Sequence, residues 1–332
     1  MADRATLVEV LRQLEATKPA PPKAIYPFWW YVGQEKLRQA VELFCLDPGL
    51  GSLIVYGETG TGKTSAVLAI SDFLSPIPLM KGCIQRCVPW EPPCAECKGA
   101  GRKEYEKLPP PVYSVPTSLG AGIRDAETAA RAMDRIMPHA KRGLALLDPL
   151  GAFDPPLIAR LLQQSAPHPQ GQRPTIQVAA AHDLREPTLP LVALNFTLGV
   201  RVEGREDLEE RIEIVRRMKE YTAGVTGPVD AERKAMKLRI EEARALLPQV
   251  EISEGTSQQV EGVCKRFLDA TKARLDPLAL RGTFLRVCRA WTALHKRRWV
   301  TGQEMKEASE FFFTHRLDAV GIKAGMKVEL KF

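Results

Sequence analysis

Gly57 to Thr64 read GETGTGKT, a match to the phosphate loop G-x-x-x-x-G-K-[ST]. The apolar run Leu53–Tyr56 precedes it and a helical pattern begins at about Lys63, which is the context such a loop requires. Gly57, Gly60 and Gly62 allow backbone angles that aim N–H groups at phosphate oxygens, and the helix N-terminus adds a favourable dipole. Lys63 would neutralise the β and γ phosphates, and the Thr64 hydroxyl would hold Mg²⁺. The expected ATP- or ADP-binding segment is therefore Gly57, Glu58, Thr59, Gly60, Thr61, Gly62, Lys63 and Thr64, with Ser65 behind it. Such a site also needs an acid at the end of a second strand to place Mg²⁺, and Asp148 follows the run Leu144–Leu147. Its neighbour is Pro149, which offers neither a carboxylate nor an N–H.

Cys83, Cys87, Cys94 and Cys97 form a second candidate centre, spaced C-x3-C-x6-C-x2-C, with Pro89, Pro92 and Pro93 turning the chain between the pairs. Four thiolates could close a tetrahedral Zn²⁺ site. The spacing is tighter than in common zinc ribbons, so free thiols and an iron–sulfur cluster stand as alternatives. The chain has 7 cysteines, an odd number crowded at one place, which suits a reducing compartment better than a disulfide framework. Cys45, Cys264 and Cys288 fall at apolar helical positions and read as core. His139, His168, His295 and His315 lack partners at ligand spacing and read as structural.

These residues must be positioned by elements that the pattern outlines. Leu7, Val8, Leu11 and Leu14 have helical spacing, and the prolines at 19, 21 and 22 end that helix, giving an N-terminal helix and linker over residues 1–24. From there to Gly204, strand-like runs at Leu53–Tyr56, Leu144–Leu147, Ile176–Ala181 and Leu198–Val202 alternate with helical segments, the rhythm of a parallel α/β sheet. Strands then stop. Helical periodicity recurs over Leu208–Tyr221, Met236–Leu247, Val260–Ala270, Leu280–Leu294 and Met305–Phe312, and Thr301 with Glu304 makes a capping box for the last of them. The expected organisation is an α/β nucleotide-binding domain over 25–204 with a Cys-rich insert at 82–102, an all-α helical domain over 205–317, and an extension over 318–332.

The order of these features resembles the AAA+ ATPase subunit of magnesium chelatase, a branch of the MoxR-like group. Tyr26–Glu35 (YPFWWYVGQE), the Cys-rich stretch, Leu238–Val250 (LRIEEARALLPQV), Val300–Glu304 and Thr314–Leu317 (THRL) are similar to that family's segments in the same order. The resemblance implies a P-loop AAA+ domain followed by a helical domain, subunits assembled in a ring with ATP at each interface, and partners that include other AAA+ subunits and a von Willebrand factor A domain protein. Laid on the family, Gly143–Asp154 (GLALLDPLGAFD) keeps Asp148 but puts Pro149 on the catalytic Glu. Thr188–Phe196 (TLPLVALNF) puts Asn195 on the arginine finger, and the same count puts His182 on the γ-phosphate-sensing Asn. Arg281 is the nearest candidate for the helical domain's sensor arginine.

Hydrolysis by this chain alone is then expected to be slow, since a general base is worth about 10²–10⁴ in rate and an arginine finger about 10³–10⁵. A regulatory or structural, ATP-binding member of an assembly fits that expectation. The rivals are a working ATPase that drives metal insertion or partner remodelling, with Asp154 or Asp183 as the base, and a nucleic-acid loader. Trp29, Trp30 and Tyr31 read as core packing, with contact to the adenine as the alternative.

Composition narrows the field. The chain of 332 residues is 45% hydrophobic and 26% charged, which excludes a disordered or collagen-like chain. Uncharged apolar stretches such as Gly49–Tyr56 fall far short of a membrane span, and the N-terminus has no signal-peptide pattern, so a cytoplasmic location is expected. The net charge of +7 is spread along the chain, with 22 basic against 20 acidic residues up to Gly204 and 25 against 20 beyond it. A solvated surface fits that distribution better than a nucleic-acid footprint.

Overall fold

The computed structural model describes residues 27–123, 125–166, 174–183, 193–225 and 227–320. The expected N-terminal helix and most of the C-terminal extension lie outside them. A parallel sheet is built from β1 (Ser52–Gly57), β4 (Val112–Ser114), β5 (Leu144–Leu147), β6 (Gln177–Asp183) and β7 (Leu198–Val202), in the order β4-β5-β6-β1-β7. The strand that feeds the phosphate loop is thus flanked on both sides, Leu53 lying opposite Ala179 of β6 and Leu198 of β7. Every residue of β1 is buried, which is why it reads as an unbroken apolar run.

The four strands expected from sequence are all present, and β4 adds a fifth. β2 (Ile77–Met80) and β3 (Tyr105–Leu108) form a separate antiparallel pair that encloses the Cys-rich insert. Side chains alternate across the sheet. Ile54, Tyr56, Ala145, Leu147, Val178 and Ala180 face α4 (Ala126–Ala140) and α5 (Pro155–Ser165), with α3 (Ala95–Gly99) confined to the insert. Leu53, Val55, Leu144, Leu146, Ala179 and Ala181 face the other way, toward α1 (Glu35–Leu46) and α2 (Lys63–Ala69).

Beyond β7 the chain is helical, as its periodicity indicates: α6 (Leu208–Thr222), α7 (Gly227–Leu246), α8 (Glu254–Thr271), α9 (Pro277–Leu294) and α10 (Gly302–Ala319). The Thr301–Glu304 capping box forms, and α10 runs past Leu317 to Ala319. These helices pack on one another, with Phe267 of α8, Phe284 of α9 and Phe312 and Phe313 of α10 meeting ring to ring. The same rings belong to one apolar cluster with Leu53, Val55, Leu198 and Val200, α10 packing on β7 and α7 and α9 on α1.

The THRL segment makes the join. Gly199 leaves room for the His315 ring, since a Cβ there would lie 2.3 Å from it, and His315 Nε2 donates to the Phe196 carbonyl at 3.0 Å. Arg316 is fully enclosed, stacks 4.1 Å from the Phe312 ring, and donates to the carbonyls of Leu194, Phe196, Thr197 and Phe312. Burial, reinforced by the Arg316 charge, holds the His315 pKa well below 6.5, against the Phe196 hydrogen bond that raises it. An unfolded histidine takes up a proton below about pH 6.5 and folded His315 does not, so stability is full above that pH and falls as pH drops. The fall is at most about 1.4 kcal/mol per pH unit for one group. Urea midpoints are expected to decline between pH 7.5 and pH 5, and less so in His315→Gln; a midpoint that holds steady over this range would contradict the assignment.

Candidate nucleotide site

The phosphate loop leaves β1 at Gly57, whose φ of +134° and approach to β7 exclude a side chain: a Cβ would lie 2.0 Å from the Val202 carbonyl oxygen. The loop then turns through Gly60 and Gly62, and a Cβ on Gly62 would lie 2.3 Å from the Tyr31 hydroxyl oxygen. Tyr31 donates to the Gly62 carbonyl at 3.2 Å and is also hydrogen-bonded to Ser65. The aromatic run therefore divides. Trp29 and Trp30 are buried, Trp29 donating to the Val229 carbonyl at 3.1 Å, whereas Tyr31 braces the loop.

Lys63 opens α2, and its Nζ donates to the carbonyls of Gly57 at 3.1 Å and Glu58 at 2.6 Å. Burial pulls the Lys63 pKa down, while Asp183, Asp148 and Glu58, in that order, pull it back up. Both strand-end acids thus act on the lysine. Asp183 closes β6 in register with Gly57, and its carboxylate accepts from the Thr59 hydroxyl. Glu58 laces the loop to the end of β7: its N–H donates to Val202 and its carboxylate accepts from the Gly204 N–H at 2.7 Å. Thr61 donates to the Glu58 carbonyl at 2.8 Å, and Thr64 is exposed at the start of the helix, where an ion could reach it.

An open cleft of about 300 Å³ lies over the loop. Tyr31 and Val32 line one side, Gly204 and Arg205 another, and Ile214 and Met218 of α6 a third. No motif or spacing in the sequence marks the last four. Gly204 and Arg205 reach the loop only through the pairing of β1 with β7, while Ile214 and Met218, four apart on one helix face, carried a signal indistinguishable from core.

The other expected residues are dispersed. Pro149 is exposed and directly follows Asp148. Asp154 accepts from the Ile123 N–H at 2.7 Å, which engages it at the start of α5. His182 is buried in β6, and by alternation shares the side of Ala180. Asn195 is exposed at the end of the short turn Ala193–Asn195; residues 188–192 of its segment lie outside the described ones. Arg281 is turned toward α8, donating to Ser257 at 2.8 Å and lying 3.6 Å from Glu261, and it does not line the cleft. The four sulfurs of Cys83, Cys87, Cys94 and Cys97 converge to within 4.8 Å of one another. Cys45, Cys264 and Cys288 are buried, as expected. No helix among the described residues is long and apolar enough to cross a membrane.

No protein-family model matches the chain. Curated proteins do. The magnesium-chelatase subunit ChlI homolog of Methanocaldococcus jannaschii is 29% identical over 321 residues, covering 88% of this chain and 86% of that protein. The magnesium-chelatase 38 kDa subunit of Acidiphilium rubrum is 28% identical over 328 residues, covering 89% and 91%. The chain is similar to magnesium-chelatase ChlI and 38 kDa subunits over most of its length. A larger magnesium-chelatase subunit, the 67 kDa protein of Heliobacterium mobile, matches 69% of this chain at 29% identity but only 39% of its own length. The similarity to the chelatase subunits thus runs through the phosphate loop, the sheet and the helical part together, and the fold is that of a P-loop α/β sheet with an appended helical layer.

Proposed function

We propose that this chain binds ATP or ADP with Mg²⁺ in the cleft over Gly57–Thr64 and hydrolyses ATP only slowly by itself. In this reading it is a regulatory or structural AAA+ subunit of a chelatase-like assembly, in a ring or hetero-oligomer with other AAA+ subunits and a von Willebrand factor A domain partner. The loop N–H groups and Lys63 would hold the phosphates, and Thr64 and Asp148 would hold Mg²⁺, which when bound would neutralise phosphate charge. The observation that carries the proposal is the pairing of this intact loop, its lysine flanked by two acids, with Pro149 directly after Asp148. A residue at 149 that carries no proton acceptor cannot deprotonate an attacking water. The adenine would sit between Tyr31 and Val32 on one side and Ile214 and Met218 on the other, where apolar walls meet the phosphate loop.

One observation favours a second reading. Asp183 is the acid nearest the loop in register, and it lies on the Thr59 hydroxyl; in a working ATPase it would be the base. Steady-state phosphate release by the wild type and Asp183→Asn separates the two. Slow release, far below the usual median of about 10 s⁻¹ and changed less than threefold by the substitution, is the expected result. Fast release that falls about 10²-fold or more in Asp183→Asn would establish the second reading instead.

A further inference from the structure

The Cys-rich insert is a small module with very little core. Its β2–β3 pair buries Ile77, Leu79 and Val88 in one cluster, with Met80, Cys87 and Cys97 in another, and all four residues of β3 are exposed. Two short strands and a five-residue helix with so few buried side chains cannot hold a defined shape through apolar burial alone. Something else must fix it.

The four thiols are arranged to do so. Each pair lies on a tight turn: Cys83 N–H donates to the Met80 carbonyl and Arg86 N–H to the Cys83 carbonyl, while Cys94 caps the short helix that holds Cys97. The turns aim their sulfurs at a common point. Cys83 and Cys94 sulfurs are 3.9 Å apart, and all four ligand atoms lie within 4.8 Å of one another. Four sulfurs at the usual Zn–S length of about 2.3 Å stand about 3.8 Å from each other in a tetrahedron. The 3.9 Å separation is far beyond the roughly 2.05 Å of a disulfide. Backbone N–H groups also point at the sulfurs, Cys94 N–H at Cys87 Sγ at 3.2 Å and Cys97 N–H at Cys94 Sγ at 3.5 Å. Such donors favour thiolate over thiol and orient ligands around a metal.

We infer that Cys83, Cys87, Cys94 and Cys97 bind one structural zinc ion, which clamps the insert and presents Arg86 to the nucleotide domain. Arg86 sits between the first two ligands with a φ of +52°, a conformation unusual for a non-glycine residue. Its guanidinium donates to the carbonyls of His139 at 3.0 Å and Lys141 at 2.9 Å, at the C-terminal end of α4. Glu91, on the stretch between the two cysteine pairs, meets the nearly buried Arg142 just before β5. The zinc-bound turn is thereby tied to the elements that lead into β5, the strand that Asp148 directly follows. The closed set of four protein ligands leaves no open position, so the role is structural, and the inference stands whether or not the chain hydrolyses ATP.

Metal analysis of the purified full-length chain after gel filtration tests this. About one zinc per chain is expected, with wild-type protein refolded in Co²⁺ showing sulfur-to-cobalt charge transfer and the ligand-field bands of tetrahedral geometry. The double variant Cys94→Ser/Cys97→Ser is expected to retain less than about one-tenth of the zinc, and Arg86→Ala to retain it all while amide exchange rises at the end of α4. Less than about 0.2 zinc per wild-type chain, or iron with labile sulfide in its place, would overturn the inference. Those readouts come from the wild-type chain and do not depend on the variants folding.

Discussion

Lys63→Ala is expected to weaken MgATP binding by about 30- to 1,000-fold, the equivalent of about 2 to 4 kcal/mol, and to leave the fold intact. The side chain holds no apolar core together. Its Nζ lies on the Gly57 and Glu58 carbonyls at the rim of the loop, where water can replace it once the lysine is gone. In the complex it would be the loop's own cationic side chain at the β and γ phosphates, with Asp148 and Asp183 acting on it, so alanine leaves those acids less screened from the nucleotide. Titration with a fluorescent ATP analogue, alongside urea unfolding of the same samples, measures both halves of the expectation. Unchanged affinity would mean that the nucleotide, if any, binds elsewhere.

Arg316→Ala should act on stability instead, lowering it by about 3 to 5 kcal/mol. Four carbonyls, from Leu194, Phe196, Thr197 and Phe312, share this one guanidinium in an enclosed space; alanine would take a donor from each, leaving Phe196 with His315 alone, and open a cavity over the Phe312 ring. Among the described residues no carboxylate offsets its charge, and burial pulls its pKa down to about 9, which still leaves it protonated at neutral pH. Its stability contribution is thus hydrogen bonding and packing between α10 and the segment before β7, not an ion pair. Arg316→Lys keeps the charge but has one short donor head for four acceptors, and an intermediate loss is expected. Chemical unfolding of both variants measures this; a loss below about 1 kcal/mol for alanine would show that the carbonyls find other donors.

The two variants also divide what was legible in the sequence from what was not. The phosphate loop was legible because its function depends on consecutive residues between a buried strand and a helix, and Leu53–Tyr56 and Lys63 declare both. Strand β4 was not, since three residues, Val112–Ser114, follow a proline run and present two exposed side chains. The β2–β3 pair was hidden for a related reason: Pro78 interrupts one strand, and the other, Tyr105–Leu108, has no buried face to give it an apolar period.

Helical periodicity likewise marked the faces of α7 to α10 without saying what they cover. Phe284, Phe312 and Phe313 pack ring to ring in a cluster continuous with the apolar face of the sheet, and Arg281 of α9 meets Ser257 and Glu261 of α8 rather than the cleft. The cleft takes its third wall from α6, whose Ile214 and Met218 no counting along the chain could distinguish from core residues. The THRL segment was visible as a motif, but its task, holding Phe196 and its neighbours beside Asn195, depends on a contact spanning some 120 residues.

On the proposed function, the chain retains a bound nucleoside triphosphate without cleaving it at a useful rate. This is tested most directly by loading the purified chain with MgATP, isolating the complex by rapid gel filtration, and identifying the bound nucleotide over time. ATP is expected to remain the predominant bound species for many minutes, and to be lost from Lys63→Ala during the filtration. Conversion of the bound nucleotide to ADP within seconds, with no partner subunit present, would contradict it.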